Sequence, residues 1–184
     1  STQSFHRPKV ANINASNRFL VAYRMSMQHV AARAVSAATG EVSNEVLIEI
    51  DWFPDVEIDV AGDPVEPYQN ALVVWNTNGT AIKSYRVGVP PSGPLVYVDP
   101  APLTIASYPS AVASGLQVTN TNGPSGQWLV TWDRFFDTPA PGDYDVYGAV
   151  VNYNGELVAP QKSLFGTVGA NERHNSGAGD GDNW

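Results

Sequence analysis

Carboxylates are the only side chains with catalytic or ligating chemistry that this 184-residue chain holds in quantity: 18 Asp and Glu, against 10 Lys and Arg and three His. Asp51, Asp55, Glu57, Asp59, Asp63 and Glu66 form one acidic stretch. Within it the alternation of Asp55, Glu57 and Asp59 places three carboxylates on one face of a strand. Hard cations take several oxygen ligands from neighbouring residues, so this trio is a candidate calcium site. The same alternation also describes a charged edge that discourages strand-to-strand aggregation. A second acidic group, Asp133, Asp137, Asp143 and Asp145, suits an ion or a sugar, although DTPAPGDYD is also turn chemistry. Asp180 and Asp182 near the end of the chain supply only two carboxylates.

Other chemistries find no support. The absence of cysteine removes disulfides, thiolate metal sites and thiol nucleophiles together. His6, His29 and His174 share no ligand spacing, and no G-x-S-x-G elbow anchors a serine nucleophile. PPSGP and SGAGDG lack the lysine and following helix of a phosphate loop. A formal net charge of −8 argues against a nucleic-acid partner. No apolar run reaches the roughly 18–20 residues of a membrane helix, so no membrane span is expected. The expectation is a protein that is not an enzyme, with no cofactor except the calcium candidate.

The elements that position these residues read as strands. Gly 16 and Pro 14 are spread along the chain, and between them lie short β-branched and aromatic runs: Phe19 to Tyr23, Val46 to Ile50, Ala71 to Trp75, Trp128 to Trp132 and Val146 to Val151. Met25 to Ala38 has helical propensity, but its counterparts elsewhere have strand character. The fold class is all-β.

Three units repeat one order of features. Pro8-Lys9-Val10-Ala11 leads to FLVAY, HVAARAV, a turn at Thr39-Gly40-Glu41 and EVLIEI. Pro54-Asp55-Val56-Glu57 leads to ALVVW, AIKSYRV, a turn at Ser92-Gly93 and PLVYV. Pro109-Ser110-Ala111-Val112 leads to WLVTW, YDVYGAVV, Asn154-Gly155-Glu156 and ELVA. The units span about 6–50, 51–107 and 108–184, each a set of four short strands in one repeat domain. Only the third carries an insertion, Asp133 to Asp143. Tyr23, Trp75 and Trp132 share one position and are expected in the cores, with Pro8, Pro54 and Pro109 as anchors at the unit starts.

The pattern P-x-V-A, LVVW, DVYG-x-x-V and N-G-E resembles the tandem β-propeller repeats of secreted bacterial surface and adhesin-like proteins. The resemblance spans nearly the whole chain and is closest over Asp143 to Ser163. Its motifs are structural: a turn proline, a core aromatic and a hairpin glycine. It implies three propeller-like four-stranded blades. The sialidase Asp box and the D-x-D-x-D-G calcium loop are missing.

Closed propellers have about four to eight blades. Three units leave two end faces uncovered, so completion by another copy or by another chain is expected, with a β-sandwich as the alternative fold. The expected role is a structural or interaction module that self-associates or joins a larger surface assembly. A lectin-like propeller is the second reading, with exposed Trp or Tyr stacking on a glycan. A fragment of a propeller glycoside hydrolase or lyase is the third, needing two carboxylates about 5–10 Å apart. A chain opening at Ser1 rather than Met fits a processed product, secreted or extracellular at the cell surface.

Overall fold

The protein is described by a computed structural model covering residues 8–26, 29–49, 56–62, 69–110, 112–121, 126–136, 142–167 and 172. Its regular structure is β throughout, with a single 3₁₀ turn at Asn14–Ser16 and no α-helix among the described residues. β1 (Lys9–Ile13), β2 (Arg18–Arg24), β3 (His29–Ser36) and β4 (Val46–Glu49) form an antiparallel meander. β5 (Ile58–Gly62), β6 (Asn70–Asn76) and β7 (Ala81–Gly88) form a second. Its fourth place is shared by β8 (Val96–Tyr97) and β9 (Leu103–Ser107), which pair with opposite ends of β7. β10 (Ala113–Asn120), β11 (Gln127–Phe136), β12 (Asp143–Asn152) and β13 (Leu157–Phe165) form the third.

Turn chemistry sets the hairpins. Between β6 and β7 both Asn78 and Gly79 take positive φ, 52° and 70°, the left-handed backbone that Asn-Gly adopts at low cost. The segment with helical propensity contains strand β3, because its alternating small residues are buried against a neighbouring sheet. Asp133 to Phe136 and Asp143 to Val146 continue the β11–β12 ladder in register. The insertion is therefore in part a lengthened hairpin. β9 has no clear signature in the sequence, since LTIAS is short and sits among prolines.

Two cores hold the three sheets in a row. One joins Leu20, Ala22, Val30, Ala32 and Ile48 of the first sheet to Val60, Val73, Trp75 and Val87 of the second. The other joins Leu72, Val74, Ile82 and Ala106 of the second sheet to Leu116, Trp128, Val130, Trp132 and Ala149 of the third. β6 accordingly alternates its side chains between two cores, Ala71, Val73 and Trp75 one way and Leu72 and Val74 the other. A strand buried on both faces must be apolar throughout, which is why ALVVW has no polar interruption. A sandwich has one core between two sheets; this chain has two cores among three.

The leading strands β1, β5 and β10 lie side by side. A Cβ on Gly62 of β5 would fall 2.0 Å from the Asn12 carbonyl oxygen of β1, so this approach requires glycine. At the far rims, polar clasps join the sheets. Leu95 N–H donates to Asn44 Oδ1 at 2.7 Å. The Tyr97 hydroxyl accepts from Leu47 N–H and donates to Leu47 C=O, both at 3.0 Å, covering part of the free edge of β4. Arg18 Nη1 donates to the carbonyls of Pro90 and Gly93 at 2.9 and 3.1 Å.

Candidate interaction faces

Alternation along β5 sends Ile58 and Val60 into the first core and Glu57 and Asp59 the opposite way, toward the third sheet. There the Glu57 carboxylate accepts Leu116 N–H at 3.1 Å and the Asn76 amide at 3.1 Å. Asp59 Oδ2 accepts Val118 N–H at 2.8 Å, and Oδ1 lies 3.4 Å from Lys9 Nζ. The two carboxylates therefore grip alternate backbone amides on the free edge of β10. They fasten one sheet to the next and occupy an edge that would otherwise be open. Asp55, the third member of the calcium candidate, lies outside the described residues.

Asp143, Asp145 and Glu172 form a second acidic cluster, with one carboxylate oxygen of each within 4.8 Å of the others. Glu172 N–H donates to Tyr144 C=O at 2.9 Å, which brings this distant residue to β12. Sequence spacing around the long hairpin does not reveal Glu172, because a tertiary backbone bond delivers it. Burial, then the charges of Asp143 and Glu172, push the Asp145 carboxyl above its usual range, against the opposing pull of Arg134. The Arg134 guanidinium is held by aromatic faces, 4.9 Å from the Tyr108 ring centre, 4.6 Å from Phe136 and 4.9 Å from Tyr147. Such a cluster can hold a proton or contribute ligands to a hard cation. Asp133 is buried apart from it, with its carboxylate against Gly115, and Asp137, Asp180 and Asp182 lie outside the described residues.

The outward face of the first sheet is largely apolar, with the exposed Arg33 opposite Val21 as its charged member. In β2, Leu20 and Ala22 point into the first core while Phe19, Val21 and Tyr23 point away from it. With Val10, Val35 and Leu47 they make a face that is substantially exposed: Val10 60%, Phe19 39%, Leu47 40%. Ala31, on this side of β3, is buried beneath its neighbours. Trp75 and Trp132 are fully buried, but Tyr23 is half-buried and belongs to the outward face rather than to a core. Its hydroxyl donates to Glu45, whose carboxylate also accepts from Arg33 Nε at 3.3 Å. Burial first, and then that hydrogen bond, raise the Tyr23 phenol, while the same bond lowers the Glu45 carboxyl.

The outward face of the third sheet carries Leu129 and Val150 beside Gly148. A Cβ on Gly148 would meet Leu164 Cδ1 at 2.7 Å and Leu129 Cδ1 at 3.4 Å, so Leu164 lies directly over this glycine. Leu164 is 42% exposed. Among the other sequence candidates, Pro8 and Pro109 are exposed outside the strands, and Pro54 is outside the described residues. Trp128, Tyr85 and Tyr108 are buried and Tyr97 is exposed; Trp52 and Tyr68 lie outside the described residues.

Where β1, β5 and β10 run together, a cleft of about 320 Å³ opens, lined in part by Asn12, Asn14, Thr119 and Asn120. Asn120 Nδ2 and Trp128 Nε1 both donate to the Gly62 carbonyl beside it. No helix among the described residues is long and apolar enough to cross a membrane. No protein-family model matches the chain, and no curated protein matches it.

Proposed function

We propose that this chain is a non-enzymatic structural or interaction module, secreted or displayed at a surface, that assembles through the outward faces of its first and third sheets. The observation that carries this reading is the face of Val10, Phe19, Val21, Tyr23, Val35 and Leu47, apolar except for Arg33 in its ion pair with Glu45, on a sheet whose other side is a core. Exposed, predominantly apolar surface of this kind marks an interaction site. A stack of sheets resembling propeller blades also gains by covering its ends, because each uncovered end leaves apolar side chains in water. Size-exclusion chromatography coupled to light scattering tests it. A mass of at least twice the 19.7 kDa chain is expected; a compact monomer near that mass at all concentrations contradicts completion by a second copy.

A lectin-like role is the second reading, favoured by the cleft among β1, β5 and β10. Its amides and hydroxyl are uncharged groups that both donate and accept hydrogen bonds, as sugar hydroxyls require. Calorimetric titration with a panel of free monosaccharides tests it: saturable heat that is lost in Asn120→Ala supports this role, and no heat with any sugar removes it.

A further inference from the structure

The strand registers give the two end faces different identities. In each sheet the leading strand places a valine opposite a valine: Val10 with Val21, Val60 with Val73, and Val118 with Val130. Two residues along from the second valine stand Tyr23, Trp75 and Trp132. These sets occupy equivalent places in the three sheets. In the second sheet the set belongs to the core shared with the first sheet. In the third, Val130 and Trp132 belong to the core shared with the second, and Val118 packs against it. In both, the set faces the preceding sheet. In the first sheet the same set faces outward, and Val10 is 60% exposed where Val60 is 6% exposed.

The opposite faces carry their own marker. Ala11 pairs with Leu20, Ala61 with Leu72 and Thr119 with Leu129. Leu20 is buried against the second sheet and Leu72 against the third, so this face meets the following sheet. Leu129 has no following sheet within the described residues. The first sheet thus presents outward the kind of face that a preceding sheet covers, and the third presents the kind that a following sheet covers. The two ends differ from each other and each corresponds to one side of the contacts already made inside the chain.

We infer that the occupant of these faces is a second copy of this chain, joined head to tail: the Leu129 and Leu164 face of one copy against the Val10, Phe19 and Tyr23 face of the next. This continues the sheet-on-sheet stacking of the two internal cores. The contact is heterologous, so successive copies close into a ring or extend as a filament. The inference rests on the assembly reading above and adds the partner, the two faces and their polarity.

The test uses Val10→Lys on one face and Leu164→Lys on the other, both at exposed positions that tolerate lysine in the isolated chain. Near-UV circular dichroism checks that each variant keeps its packing, with Phe19→Ser and Leu164→Ser as milder replacements at the same faces. In sedimentation velocity each variant alone is expected to be monomeric. An equimolar mixture is expected to form one species of twice the monomer mass, because one intact face remains on each partner. A mixture that stays monomeric, or either variant assembling alone like the wild type, overturns head-to-tail pairing while leaving the assembly reading intact. A wild-type chain that is monomeric throughout overturns both.

Discussion

Asp59 on β5 accepts the backbone N–H of Val118 on β10 at 2.8 Å, so an acidic side chain stands where a neighbouring strand would offer a carbonyl. Glu57 does the same for Leu116, two residues earlier on both strands. The acidic alternation is thereby tied to the packing of one sheet on the next. Replacing Asp59 by Ala removes the acceptor and the ion pair with Lys9 together. Hydrogen bonds to charged groups contribute roughly 1.5–3 kcal/mol, and urea unfolding of Asp59→Ala should show a loss in that range. A change below about 0.5 kcal/mol would mean that water replaces the contact without cost.

The same contacts bear on calcium. With Glu57 and Asp59 committed to β10, Asp59→Asn should leave any response of the melting temperature to EDTA or calcium unchanged. A calcium-dependent rise that is lost in Asp59→Asn would support the metal reading of Asp55, Glu57 and Asp59.

Arg86 joins the second sheet to the third. Its Nε and Nη2 donate to Asp99 Oδ1 at 2.8 and 2.5 Å, and Nη1 donates to the Tyr153 carbonyl. Gly155, at φ 77°, lets the β12–β13 turn pass close to the guanidinium. Removing one partner of a well-buried pair costs about 3–5 kcal/mol. Because both side chains keep 13% of their exposure, Arg86→Ala should destabilise by roughly 2–3 kcal/mol, discounted for solvent screening. The Asp99→Ala variant should lose a similar amount, and the double variant should lose less than the sum of the two.

Trp132 and Tyr23 occupy equivalent positions with unequal burial, and their truncations should differ accordingly. Trp132 fills the second core and donates Nε1–H to the Tyr108 hydroxyl at 2.8 Å, so Trp132→Ala should cost about 3–5 kcal/mol. Tyr23→Ala opens no core and should cost about 1 kcal/mol or less in the monomer, while weakening assembly. Equal losses for the two would contradict placing Tyr23 on an end face.

Asp145 sets a pH dependence of known sign. Its carboxyl is raised in the folded chain by burial and by Asp143 and Glu172, so the folded state holds this proton to higher pH than the unfolded state. The favourable contribution is complete below the unfolded value of about 3.9 and is lost as pH rises through the raised folded value. Asp145→Asn should therefore raise the melting temperature at pH 7, and the gain should vanish as pH falls through the carboxylate range. Destabilisation at pH 7 would show that attraction to Arg134 outweighs burial and the neighbouring charges.

Much of the fold is legible in the sequence because its repeat unit is one meander. The runs ending at Tyr23, Trp75 and Trp132 lie in the second strands β2, β6 and β11, and the continuous apolar character of ALVVW follows from burial between two cores. The paired segment β8 and β9 is not legible, since two short strands share one edge and neither carries a strong alternation. Nor is the role of Glu57 and Asp59, because their partners are backbone amides about 60 residues on, with no side-chain signature. Glu172 is hidden for the same reason: a single backbone bond to Tyr144 brings it beside Asp143 and Asp145. Tyr23 reads as a core residue because its equivalents are; its exposure follows only from being on the first sheet of the row.

Side-chain footprinting by photochemical carbene labelling across a concentration series tests the end-face assembly most directly. Val10, Phe19, Leu47 and Leu164 should be labelled in dilute protein and become protected together as concentration rises, while the exposed Val96 and Pro94, at the rim of the second sheet, change little. Equal labelling of all six residues at every concentration would contradict assembly of this chain through its end faces.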